Sequence, residues 1–189
     1  MKLDLAEQYI ITRLTDELPP ELTYHNAAHT RDVFGAAKRL GSLEKVNEQQ
    51  LNQLLTAALF HDAGFLVSAN DHERHSCTIA QHVLPGLGYN ATDISQICRL
   101  IMATTIPQHP TQLLEEIICD ADLDYLGRDD FFIRSELLYQ EMRYLGTVTS
   151  RDDYNEVQRN FLQEHHYFTG SAQKLRLAKK KENYQKLNA

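Results

Sequence analysis

Apolar residues in this chain recur at intervals of three and four along almost every segment, and nowhere alternate singly with polar ones long enough to make a convincing strand. That periodicity confines the fold to an all-α architecture, a compact bundle of about eight or nine helices. Proline and glycine mark the breaks. Leu3 to Leu18 reads as a first amphipathic helix stopped by Pro19-Pro20, because a proline pushes the residue before it out of the α region. Tyr24 to Gly41 follows, with the glycine placed for a C-cap. Asn47 then caps a helix that runs to Phe60. Further helices are expected over Asp71–Leu84, Thr92–Thr105, Thr111–Tyr125, Asp129–Leu145, Ser150–Tyr167 and Ser171–Leu187. With 189 residues, no internal repeat and no linker-like stretch, the chain reads as one domain over 1–189.

Composition narrows the setting. At 42% hydrophobic and 24% charged residues, neither disorder nor a fibrous architecture is expected. No apolar run reaches the ~20 residues that cross a bilayer, and MKLDLAEQYIITRL carries acids where a signal peptide carries bases, so a cytoplasmic protein with no membrane partner is expected. Cys77, Cys98 and Cys119 are odd in number and set among apolar residues, which suits buried thiols. Charge is uneven. Residues 171–189 hold six lysines or arginines against one glutamate, and the first 170 hold 13 bases against 25 acids. An acidic body argues against a nucleic-acid groove, while the basic tail suits a solvated helix end, a phosphate-bearing substrate or an acidic partner face.

Five of the nine histidines fall between residues 25 and 75. In YHNAAHT, His25 and His29 are four apart, so one helix would project both from a single face. In ALFHDAG, His61 and Asp62 come where the third helix runs out. In ICDADLDYLG, Asp120, Asp122 and Asp124 interrupt an otherwise apolar helix. Singly, each has an ordinary explanation: a core histidine, a turn dipeptide, a solvated acid. Together they sit beside core-type residues, and buried carboxylates are normally matched by cations or metals.

These motifs, in this order, resemble the HD-domain metal-dependent phosphohydrolase superfamily over about residues 20 to 145. The segment YHNAAHT is similar to the opening motif shared with cyclic nucleotide phosphodiesterases, and DADLDYLG to the stretch carrying the last ligand. The resemblance implies His29, His61, Asp62 and Asp122 as metal ligands, with Asp120 orienting a histidine or bound water from behind, or exchanging roles with Asp122. It implies His25 as the acid that protonates the leaving oxygen and Asp62 as a group that orients the attacking water. HERHS, from His72 to Ser76, resembles the segment that supplies a further ligand in two-metal members. The partner histidine of that second site is expected where this chain has IMATT, and His109 comes several residues late, so one ion is favoured, with His72 and His109 available to a phosphate or a weaker second ion.

The ligand set admits Mn²⁺, Fe²⁺, Zn²⁺, Co²⁺ or Ni²⁺, and water completing the sphere also permits Mg²⁺. The implied reaction is hydrolysis of a small phosphorylated metabolite, a nucleotide in particular, as a phosphomonoesterase or phosphodiesterase. Arg128, Arg31, Arg74 and Lys174, with Arg176 and Lys179, are the candidates for binding phosphate. His165 and His166, about 100° apart if helical, suit a structural role or the lip of the pocket rather than a second metal site. The alternative from another class is a catalytically silent metal-binding module. A di-iron oxygenase would need ligands where Thr104 and Thr105 stand. An exposed apolar helix face would permit a homodimer. The chain lacks the glutamine-clamp region of the large cyclic nucleotide phosphodiesterases, the GYP segment of the cyclic di-GMP enzymes and the synthetase domain that accompanies (p)ppGpp hydrolases.

Overall fold

The computed structural model describes residues 1–188, and every regular element among them is helical. The helices are α1 Leu3–Glu17, α2 Ala27–Leu43, α3 Glu48–Phe60, α4 His72–Val83, α5 Ala91–Ala103, α6 Leu113–Asp122, α7 Phe131–Tyr144, α8 Arg151–Glu164 and α9 Gly170–Leu187. Short 3₁₀ turns follow α3 (Ala63–Leu66), α4 (Leu84–Leu87) and α6 (Asp124–Gly127). No helix is long and apolar enough to cross a membrane.

The breaks have local causes. Asn47 caps α3 as expected, and its side chain and that of Gln50 each accept the other residue's backbone N–H in a reciprocal box. Ser150 and Asp153 repeat the device at α8. Two expectations fail. Gly41 does not cap α2, which continues to Leu43; the left-handed residue is Lys45, at φ 58°. Gly41 is buried instead, where a Cβ would lie 3.1–3.3 Å from Leu51, Leu54 and Val46. Nor does α2 begin at Tyr24. Asn26 is its cap, accepting from the N–H groups of Ala28 and His29, so His25 lies outside the helix that carries His29.

Eight consecutive residues of α3, Gln53 to Phe60, are buried. A helix hidden on all sides belongs at the centre of a bundle, and α3 packs against α1, α2, α4, α5 and α6. The main core lies here, around Leu54, Leu59, Phe60, Ile97, Ile101 and Ile117. A smaller apolar cluster joins Tyr24, Leu123, Tyr125, Leu126, Phe131 and Leu162 and seats the C-terminal helices. The seam between the two runs past the C-terminal ends of α3 and α6, and that is where the polar residues gather.

Asp120, Asp122 and Asp124 turn apart as helix geometry demands, residues two apart facing roughly 200° away. Asp120 accepts from the backbone N–H groups of Phe168 and Thr169 and from the Thr169 hydroxyl, tying α6 to the start of α9. It therefore anchors the C-terminal segment, and among the described residues it bonds to no histidine. Buried Asp124 pairs with Arg39 at 2.9 Å and Arg176 at 2.7 Å. Gly127 lets α9 approach closely, since a Cβ there would sit 2.5 Å from the Arg176 carbonyl oxygen.

Two glycine substitutions check this packing. Gly127→Ala should destabilise by about 1–3 kcal/mol, because backbone must move to admit the methyl. Gly35→Ala, on an exposed turn of α2 where a Cβ meets nothing, should stabilise by about 0.5–1 kcal/mol. Thermal denaturation should show opposite shifts of roughly 2–4 °C per kcal/mol.

Candidate metal centre

α3 ends at His61, still in α-helical conformation, and Asp62 turns out of it at φ −103°, ψ 8°. That turn swings two adjacent side chains toward one point. The His61 Nδ1–H donates to the Ala58 carbonyl at 2.9 Å, since a carbonyl can only accept; this turns Nε2 inward, toward the carboxylates of Asp62 and Asp122. Ser76 locks the turn from α4. Its hydroxyl donates to the His61 carbonyl at 2.6 Å and accepts the Gly64 N–H at 2.8 Å. Gly64 is obligatory, because a Cβ would lie 1.9 Å from the His72 carbonyl oxygen.

His29 from α2, His61 and Asp122 from α6 each offer one donor atom within 4.8 Å of the others. His29 Nε2 is 3.4 Å from His61 Nε2 and 3.2 Å from Asp122 Oδ1. Asp62 joins through the histidines, its Oδ2 3.1 Å from His61 Nε2 and 3.4 Å from His29 Nε2. Donor separations of this size are the edges of a coordination sphere with bonds of about 2.1 Å. Asp62 Oδ2 is also buried without a hydrogen-bond partner, and such an orphaned carboxylate oxygen facing imidazole nitrogens is what a cation satisfies. The residues present fit a divalent ion.

The electrostatics agree. Burial opposes charge throughout, yet the carboxylates of Asp62 and Asp122 hold the His61 imidazole well above its usual range. Asp62 is held well below the ordinary carboxylate range despite its burial, chiefly by His61 and His72. Asp122 is likewise held low against burial by hydrogen bonds from His29 and His61. This pocket favours positive charge.

Two other histidines border the cluster. His72 Nε2 lies 3.4 Å from Asp62 Oδ1 and 3.6 Å from Glu73 Oε1, beside the group of three rather than in it. The His25 ring stacks on Phe65 with centroids 4.4 Å apart and pairs through Nδ1 with Glu141. Glu141 is wholly buried and also accepts the backbone N–H groups of Tyr24 and His25. Sequence reasoning missed Glu141. It sits on α7, 116 residues from His25, and no local pattern marks it.

The centre opens into a cavity of about 300 Å³. His25, Asp62, His72, Glu73 and Asp122 form its polar end, and Leu138, Met142, Val157 and Phe161 are among its apolar walls. Among the described residues, no lysine or arginine lines it. The expected phosphate-binding cations are elsewhere. Arg128 is bound to Asp32 and Asp130, Arg176 to Asp124, and Lys179 to Asp129 and Glu182. Arg31, Arg74 and Lys174 lie exposed on the surface. His109 lines a neighbouring cavity with His165 and His166, which lie in an extended segment after α8 rather than within a helix.

The HD domain model matches residues 26–125, more than half of the chain. The protein belongs to the HD-domain family. Among solved structures, this HD protein is similar to a predicted HD superfamily hydrolase from an uncultured Thermotogales bacterium, at 19% identity and a TM-score of 0.60, covering 98% of this chain and 86% of that one. It is similar also to Bacillus subtilis YpgQ, solved in complex with ADP, at 16% identity and a TM-score of 0.68, covering 98% and 94%. A Lactobacillus plantarum protein aligns at 20% identity with a TM-score of 0.68, covering 99% and 95%. These likenesses establish the HD fold. No curated protein matches the chain.

Ser76→Ala should cost about 1–3 kcal/mol, because it strands the buried Gly64 N–H and His61 carbonyl together. Denaturant titration with and without Mn²⁺ checks this; the variant should also lose part of the stabilisation that Mn²⁺ gives the parent protein, since the turn bearing two donors loosens.

Proposed function

We propose that this HD protein is a metal-dependent phosphohydrolase acting on a small phosphorylated metabolite, a nucleotide in particular, with His29, His61, Asp62 and Asp122 as ligands. The observation that carries the reading is the orphaned Asp62 Oδ2 among imidazole nitrogens at the polar end of the cavity. When bound, a divalent ion supplies charge to a phosphoryl oxygen and acidifies water at neutral pH. Support also comes from the name of the Thermotogales protein as a predicted hydrolase and from the ADP held by YpgQ.

The remaining steps belong to side chains. Glu141 engages His25 at Nδ1, which leaves Nε2 to hold a proton for the leaving oxygen, and stacking on Phe65 fixes the ring plane. Asp62, turned into the polar end by the break after α3, is placed to orient the attacking water. His72 faces the same cavity and serves as a donor to a phosphoryl oxygen. The apolar walls exclude bulk water from the reacting groups. One observation favours a catalytically silent ligand-binding module instead, the lack of any lysine or arginine on the cavity wall. A panel of nucleoside mono-, di-, tri- and cyclic phosphates assayed with Mn²⁺ separates the two. Metal-dependent turnover of at least one, lost by a factor of about 10² or more in His61→Ala and Asp62→Ala with helical content retained, supports the enzyme; no turnover in the parent protein supports the module.

The His25–Glu141 pair fixes the pH dependence. Burial alone would lower the His25 pKa, but the hydrogen bond to Glu141 and the charge on Asp62 raise it above 6.5. Burial would raise Glu141, and His25 holds it below 4.5. A raised histidine contributes stability in full below 6.5 and loses it as pH rises through the folded value; a lowered glutamate contributes above 4.5 and loses it as pH falls. The pair therefore stabilises most between those limits, and His25 holds its proton to higher pH than a free imidazole. Glu141→Gln should move the alkaline limb of kcat/KM to lower pH by about one unit. An unmoved limb would exclude His25 as the acid.

A further inference from the structure

A second cavity, of about 230 Å³, adjoins the first, and Ile106, Leu123 and Phe161 wall both. It lies between the loop after α5 and the extended segment after α8. Leu123 directly follows Asp122 and lines both cavities, so the second lies next to the metal centre. Two polar side chains on its lining have no partner. Both Nε2 and Oε1 of Gln108 are buried without a hydrogen bond, and so are both Nδ1 and Nε2 of His165. Unpaired buried polar groups cost about 1–3 kcal/mol each and are few in folded proteins. Two such side chains among the residues that line one cavity, with all four of their polar atoms unsatisfied, point to a ligand that completes them.

The chemistry of that ligand can be read from the groups. Gln108 offers two donors and an acceptor. Burial and nearby Lys180 push the His165 pKa down to about 3, so its ring is neutral and offers one donor and one acceptor. Phe161 and Phe168 supply aromatic wall, and no lysine or arginine lines the space. An anion would find no counter-charge here. The complement is a neutral, flat ring system with donors and acceptors along one edge.

We infer that this cavity receives the base of a nucleotide whose phosphate lies at the metal centre, with Gln108 and His165 pairing the edge of the base. The inference rests on the phosphohydrolase reading and deepens it by naming the part of the substrate that sets specificity.

The test uses nucleosides, which carry no phosphate and so report on the cavity apart from hydrolysis. Calorimetric titration of the full chain with adenosine, guanosine, cytidine, uridine and thymidine should show binding of at least one. Gln108→Leu should weaken it about tenfold or more, because a site built to pair polar edges discriminates strongly once a pair is lost. In the ¹⁵N spectrum of the unsubstituted protein, the Gln108 side-chain amide should shift on saturation, which tests the contact without any variant. No binding by any of the five, or an unmoved Gln108 amide at saturation, overturns the proposal. Should the protein turn over no phosphoester, nucleoside binding would still be expected; should the cavity fail, turnover would persist without base preference.

Discussion

Two carboxylates and two imidazoles converge beneath a core helix, with the imidazole nitrogens 3.1–3.4 Å from each other and from the carboxylate oxygens, and the arrangement is stable only if positive charge is shared among them. Removing Asp62 and Asp122 from water is costly, and each is held ionised by the histidines it faces. The bundle is organised to meet that demand. α2, α3 and α6 each deliver a residue to the same point, and they do so because each packs against the others in the main core. The polar centre and the apolar core are thus positioned by one set of contacts.

The precision of the site comes from small devices at the helix ends. Asn26 starts α2 one residue after His25, which frees His25 from the helix and lets it turn to Glu141 on α7. Ser76 and Gly64 hold the turn after α3. Asp120 ties α6 to the segment before α9 and so fixes the floor on which Asp122 stands. The C-terminal helices close the cavity from the other side, with Val157 and Phe161 of α8 on its wall.

Much of this was legible in the sequence, for physical reasons. Helix periodicity and capping are local, so the all-helical class and the Asn47 cap could be read directly. The potential ligands were readable because histidines and acids beside core-type residues are costly without partners, and their order along the chain resembles a known family. Gly41 misled because a glycine near a helix end serves either as a cap or as a point of close packing, and only the neighbouring Leu51 and Leu54 decide which. Asp120, Glu141 and Arg176 were illegible for a shared reason: their partners lie about 50 or more residues away along the chain. Arg128 was well placed beside the DADLDYLG segment, yet Asp32 on α2 had already claimed it. Charge balance in the fold is set by pairings between elements, which no local window contains.

Binding of one divalent ion by these donors is open to direct observation. Anomalous diffraction from a crystal equilibrated with Mn²⁺ tests it most directly. One strong peak is expected about 2.0–2.3 Å from donor atoms of His29, His61, Asp62 and Asp122. A map with no peak within bonding distance of those four side chains would contradict it.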